Sequence, residues 1–144
     1  NSDAAVSEKT VKTINSFIKG GGYFTFATAR SIYSAVPKTA EMDISVPCIL
    51  MNGVSIYDIK NEQYVKNEFI DPAASAGVLR AFEKHGVHCF MYRIDNGILT
   101  CYYSELTTNV MRSFAEVRKY EYKKPFVQCR LADHADEKTV YFTT

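Results

Sequence analysis

Two short stretches carry the side chains and turn types suited to holding an oxyanion. In the first, Thr28, Ala29 and Arg30 follow the aromatic, nearly continuous apolar run Tyr23-Phe24-Thr25-Phe26-Ala27. In the second, Asn52 and Gly53 follow Pro47-Cys48-Ile49-Leu50-Met51. A hydroxyl, backbone amides at a helix start and a guanidinium together favour phosphate, because helix N-termini and arginine both attract oxyanions. The same residues also describe an ordinary strand-to-helix turn, with Thr28 as a cap and Arg30 in solvent. Spacing alone leaves both readings open.

Other chemistry-bearing residues are less organised. His85 and His88 straddle Gly86 where a helix gives way to a strand, so their side chains are expected to diverge, and no third ligand stands close to them or to His134. Asp133 and Asp136 have no leading glycine and read as solvated turn carboxylates. Asp3 has neither an upstream apolar strand nor a second aspartate at close spacing. Cys48, Cys89, Cys101 and Cys129 form no CxxC pair and lie in strand-like runs, which predicts buried free thiols rather than a zinc site or disulfides. Tyr92, Tyr102, Tyr103, Tyr120 and Tyr122 serve equally well as core or as a ligand-facing surface. The pairs Arg118-Lys119 and Lys123-Lys124 are interleaved with Glu116 and Glu121, as on a solvated rim.

The elements that must position these residues follow from periodicity. Val11, Ile14, Phe17 and Ile18 recur at helical spacing between a capping Ser7 and Gly20-Gly21-Gly22. Residues 23–27 predict a strand buried on both faces of a parallel sheet, followed by a short helix from Ser31, interrupted or restarted at Pro37, and a second short buried strand at 47–51. After the tight-turn dipeptide Asn52-Gly53 the rhythm changes. Strands at 54–59 and 64–70 flank Lys60-Asn61-Glu62, and Asp71-Pro72 opens a helix through His85 that Gly86 closes. Strands at 87–94 and 98–103 flank Asp95-Asn96-Gly97, a helix opens at Thr107 or Thr108, and strands return at 126–131 and 139–143. The expected organisation is a partial α/β core over 1–53 and an α+β unit over 54–144. Two parallel strands are too few for an independent sheet, so the first part reads as one edge of a larger doubly wound domain.

Composition sets the class. The 144 residues are 47% hydrophobic and 13% aromatic, with a net charge of +1, an ordinary globular balance that demotes nucleic-acid and polybasic membrane binding. No apolar run reaches the roughly 18–20 residues that span a bilayer, and no basic-then-apolar leader opens the chain, so a cytoplasmic location is expected.

Taken together, residues 19–30 with their Thr28-Ala29-Arg30 end, and 47–58 with Asn52-Gly53-Val54, resemble the haloacid dehalogenase (HAD) superfamily, specifically its Cof-type hydrolases with a type IIB cap. In that family a glycine-led buried strand ends in Thr-Gly-Arg, and a later strand ends in Asn-Gly-Ala leading into the cap. Ala29 stands in place of the usual glycine and Val54 in place of the usual alanine. The hairpins and helices downstream are similar to the cap, so the resemblance spans nearly the whole chain and implies a partial Rossmann-like HAD core followed by an α+β cap.

The resemblance implies a magnesium-dependent phosphatase acting on a small phosphomonoester such as a sugar or cofactor phosphate. An aspartate from an Asp-x-Asp motif attacks phosphorus, magnesium neutralises charge, and water hydrolyses the aspartyl-phosphate. This chain contains no Asp-x-Asp pair. The family's steadying lysine and Gly-Asp-x-x-x-Asp metal loop are not matched either, so no catalytic or metal-ligating residue is assigned and the chain by itself is expected to be inactive, a fragment of the parent enzyme. Thr28, Ala29, Arg30, Asn52 and Gly53 are the residues the resemblance places on phosphate and substrate, with magnesium held only in the parent. A second class of function remains open: a non-catalytic α+β interaction module, completed by self-association through an exposed sheet edge.

Overall fold

The computed structural model describes residues 6–144, so Asp3 lies outside the described residues. The chain divides into two compact units, Asn1–Asn67 and Glu68–Thr144.

In the first unit, helix α1 (Glu8–Lys19) starts where the Ser7 side chain accepts the Thr10 amide and ends at Gly20. Residues 22–26 run extended, and Ala27 bridges Ile49 in parallel. This stretch is not buried on both faces as its sequence suggests. Tyr23 is 82% exposed, Thr25 and Ala27 are exposed, and Phe24 and Phe26 are half-buried, the alternation of an extended chain covered from one side. Helix α2 (Ile32–Ala35) continues into a 3-10 turn carrying Pro37 (Val36–Thr39). Strand β1 (Cys48–Leu50) likewise buries Cys48 and Leu50 but exposes Ile49.

Strands β2 (Ser55–Asp58) and β3 (Gln63–Asn67) join β1 in an antiparallel sheet of order β1-β2-β3, with Cys48 opposite Tyr57 and Tyr57 opposite Tyr64. The division between units therefore falls after Asn67 rather than at Gly53. A tight turn at Asn52-Gly53 sends β2 back along β1, and ladder hydrogen bonds hold the hairpin to the first unit. Tyr57 and Tyr64 meet edge to face at 5.0 Å, and the Tyr64 hydroxyl is buried without a hydrogen-bond partner. Burial pushes that phenol above its ordinary pKa, reinforced by Tyr33, Tyr57 and Cys48. Because an unpaired buried hydroxyl carries its desolvation cost uncompensated, Tyr64→Phe is expected to stabilise the protein by about 1 kcal/mol. A raised urea midpoint at unchanged slope is the readout.

In the second unit, Asp71 caps α3 (Pro72–Lys84) by accepting the Ala73 and Ala74 amides at 2.9 and 3.1 Å. Gly86, with φ +64, turns the chain out of the helix. Strands β4 (Phe90–Asp95) and β5 (Ile98–Tyr103) form the hairpin, its turn made by left-handed Asn96 and Gly97. Thr108 accepts the Met111 amide at the start of α4 (Asn109–Glu116), which runs into a π-helical turn over Val117–Glu121. Strand β6 (Phe126–Gln128) pairs in parallel with β5, a 3-10 turn follows (Leu131–His134), and β7 (Thr139–Thr143) pairs with β4, giving the order β6-β5-β4-β7.

Helices cover both faces of this sheet. Leu79 and Phe82 of α3 pack on the cluster of Cys89, Met91 and Leu131, with Phe82 edge to face on Phe142, whereas Phe114 of α4 stacks on Phe90 at 4.8 Å; consecutive strand residues point to opposite sides. The four cysteines are unpaired, with Cys129 alone half-exposed. Among the described residues no helix is long and apolar enough to cross a membrane.

Candidate functional site

The two turns singled out by their residue types are bonded side by side. Ile49 donates its amide to the Phe26 carbonyl and accepts the Thr28 amide, both at 3.0 Å, which aligns the extended stretch with β1. Beyond the strand ends, Asn52 donates to the Thr28 carbonyl and Met51 to the Arg30 carbonyl, both at 3.1 Å. Both turns therefore sit at the carboxyl ends of parallel-paired segments, where open α/β sheets bind ligands.

The second turn has an unusual backbone. Met51, Asn52 and Gly53 take φ of 52°, 59° and 97°, three successive left-handed residues. At Gly53 nothing lies within 4 Å of an added Cβ, so the backbone conformation rather than space favours glycine. Thr28, Ala29, Asn52 and Gly53 line a recess of about 410 Å³ together with Ala27 and Ile49.

The donors in that recess follow from its hydrogen bonds. Thr28 Oγ1 accepts the Arg30 amide at 3.2 Å, which closes the turn and leaves the hydroxyl proton free to donate outward. Among the described residues the Ala29 amide has no acceptor. Ala29 does not sit in the left-handed region, so its methyl group strains nothing where the resemblance expects glycine. The Arg30 guanidinium is exposed and has no carboxylate partner among the described residues. The recess is thus offered a hydroxyl by Thr28 and an amide by Ala29, both donors suited to an oxyanion, whereas Arg30 is not among its lining residues.

No group of three or more His, Cys, Asp or Glu side chains among the described residues could hold a metal ion. The residues described do not fit a magnesium site. His134 lies against the Tyr102 ring at 5.1 Å, while His85 ends α3 and His88 lines a separate cavity of about 300 Å³ with Leu79, Phe82 and Leu131.

Asp136 is not a solvated turn carboxylate. Its oxygens take Arg93 Nε at 3.0 Å and Arg93 Nη2, and one also accepts the Lys138 amide at 3.0 Å. Partial burial pushes this carboxyl up, but the Arg93 hydrogen bonds, the Lys138 amide and both cations outweigh it and hold the pKa below the usual range. Lys124, assigned to a solvated rim, is only 6% exposed. A charged pair at a chain turn carries no signature of its inward member, because which lysine turns in depends on the preceding π-helical turn and on left-handed Lys123. Among the tyrosines, Tyr92 is core and Tyr120 is solvent-facing.

A turn at a strand end, beside a left-handed Asn-Gly turn and followed by a unit of helices packed on a mixed sheet, defines a mixed α/β chain with two sheets. The chain belongs to the haloacid dehalogenase-like hydrolases, whose family model matches residues 1–141. It is similar in fold to a crystal structure from Thermotoga maritima (TM-score 0.71, 20% identity, covering 99% of this chain and 50% of that one). A haloacid dehalogenase-like hydrolase from B. subtilis gives TM-score 0.64 at 14% identity over 90% of this chain and 50% of that one. A HAD subclass IIB sugar phosphatase gives 0.60 at 17% over 96% and 50%. The chain thus spans about half the length of the solved structures it matches. No curated protein matches it.

Proposed function

We propose that this chain supplies the phosphate-orienting turn and the cap of a phosphatase acting on small phosphomonoesters such as a sugar or cofactor phosphate. The observation that supports this most is the pairing of the two turns around one recess, with the Thr28 hydroxyl and the Ala29 amide both left to donate. In this reading Thr28 and the Ala29 amide hold phosphate oxygens, Arg30 adds charge, and Asn52 and Gly53 shape the opposite wall. Attack on phosphorus requires an aspartate nucleophile and a magnesium ion supplied by the rest of the enzyme, so the 144-residue chain alone does not turn over. The unpaired thiols support a reducing, cytoplasmic setting.

The test is titration of the labelled chain with inorganic phosphate. Amide resonances of Thr28 and Ala29 are expected to shift, and Thr28→Val to weaken binding about tenfold, since a hydrogen bond to a charged group contributes roughly 1.5–3 kcal/mol. Robust phosphate release from a generic phosphomonoester by the chain of verified mass would overturn the reading of this chain as a non-catalytic part. Absence of any shift at Thr28 and Ala29 would remove the phosphate role.

A further inference from the structure

The cavity of about 300 Å³ in the second unit has an apolar floor and a charged rim. It lies where α3 gives way to β4. The Val87 amide returns to the Phe82 carbonyl at 2.8 Å, and Gly86, with φ +64, turns the chain away from the helix. Cys89 and Leu131 are buried and form the floor, and Leu79 and Phe82 of α3 pack against them as the adjoining wall. Burial pushes the Cys89 thiol up to about 11, so the floor carries no charge at neutral pH.

Two opposite charges line this cavity from different elements. Glu83 comes from α3, is exposed, and has no cation beside its carboxylate among the described residues. Arg130 follows β6. Its ionic contact is Asp133 at 3.9 Å, and both of those side chains stand largely in solvent, 81% and 62% exposed. An exposed pair of this kind holds its partners weakly, so the guanidinium remains open to another carboxylate. Glu83 and Arg130 do not pair with each other. Other polar groups of the lining are also unused. Among the described residues the Ser104 hydroxyl has no partner, and the Cys89 and Ser104 amides, just past the last ladder pair Phe90 and Tyr103, have no acceptor.

We propose that this cavity binds a free α-amino acid with an apolar side chain, its carboxylate on Arg130, its ammonium on Glu83 and its side chain on the floor beside Phe82 and Leu131. Size sets the first limit. About 300 Å³ is the lower end of the roughly 300–1,000 Å³ usual for ligand sites, which suits one amino acid rather than a nucleotide or a peptide. Charge sets the second. A phosphomonoester or a fatty acid would bring a like charge to Glu83, and a simple amine would bring one to Arg130, whereas a zwitterion answers both. The uncharged floor then rejects amino acids with charged side chains, which would be desolvated there without a partner. The cavity shares no residue with the recess at Thr28.

The experiment is titration of the 15N-labelled 144-residue chain with L-leucine and with L-phenylalanine, followed by amide resonances. Saturable shifts are expected at Gly86, Cys89, Ser104 and Leu131 within about 10 mM ligand, enough to fill a site with a Kd of about 1 mM. 4-Methylpentanoate, which is leucine without its amino group, and 3-methylbutylamine, which is leucine without its carboxylate, should each bind about tenfold more weakly than leucine. Glu83→Gln should weaken leucine about tenfold and leave 4-methylpentanoate no weaker; Arg130→Gln should weaken both and spare 3-methylbutylamine. The comparison of leucine with its two analogues on the unaltered chain decides the matter even if a variant fails to fold. No saturable shift at these amides with either amino acid overturns the proposal. So does binding of 4-methylpentanoate as tight as that of leucine, because Glu83 would then read nothing.

Discussion

Asp136→Ala is expected to destabilise the second unit by about 3 kcal/mol, through what it strands rather than what it removes. The Arg93 side chain is 9% exposed and that of Asp136 is 36% exposed. Removing one partner of a buried pair costs about 3–5 kcal/mol, because the other charge remains desolvated, and the partial exposure of Asp136 places the estimate at the low end. Arg93 Nη1 keeps its 3.1 Å bond to the Tyr102 hydroxyl and a cation–π contact with that ring, which soften the loss without supplying a counter-ion. Urea unfolding followed by tyrosine fluorescence measures it.

The pH dependence has a definite sign. The folded pKa of Asp136 lies below its unfolded value, so the contribution is complete above about pH 5, where the unfolded carboxylate is also charged, and is lost as pH falls through the folded pKa. The wild type and Asp136→Ala should therefore converge in stability only once the pH has fallen below the folded pKa, which itself lies below the unfolded value of about 3.9. A difference that persists there would mean that the carboxyl acts by packing instead of charge.

Met91→Ala is expected to cost about 3 kcal/mol. Met91 is fully buried, at the centre of a cluster with Cys89 and Leu131, and Leu79, Phe82, Tyr102 and Phe142 pack around it. Truncating a large core side chain loses its transfer free energy and leaves a cavity, together about 2–5 kcal/mol. Phe82 and Phe142 already meet edge to face at 6.3 Å, which limits how far the walls can close. Val110→Ala, at a position 79% exposed, should change stability by less than about 0.5 kcal/mol. A comparable loss at both positions would show that the second unit lacks the tight core described.

The local elements of the fold were legible because their signals are local. Ser7, Asp71 and Thr108 cap the helices they precede in sequence, and Asn52-Gly53 and Asn96-Gly97 make the turns that their dipeptides favour. What they pair with was not legible. Residues 23–27 read as a doubly buried run and 47–51 as a short buried strand, yet the first exposes every second residue and the second exposes Pro47 and Ile49, because apolar content does not reveal how many neighbours a strand has. The hairpin after Gly53 joins β1 rather than the second unit, since its alternation suits either partner.

The candidate site divides in the same way. Thr28, Ala29, Asn52 and Gly53 could be singled out by residue type and by their place after strand-like runs. Their meeting around one recess depends on the cross-turn bonds Asn52 to Thr28 and Met51 to Arg30. Sequence by itself determined the family, the helices and turns, and the residues worth examining, all of which rest on order and short spacing. Tertiary structure alone decided that Asp136 neutralises Arg93 across 43 positions and that Lys124 turns inward without an acid. Charge partners and burial depend on distances through space, and the linear order of a chain does not contain those distances.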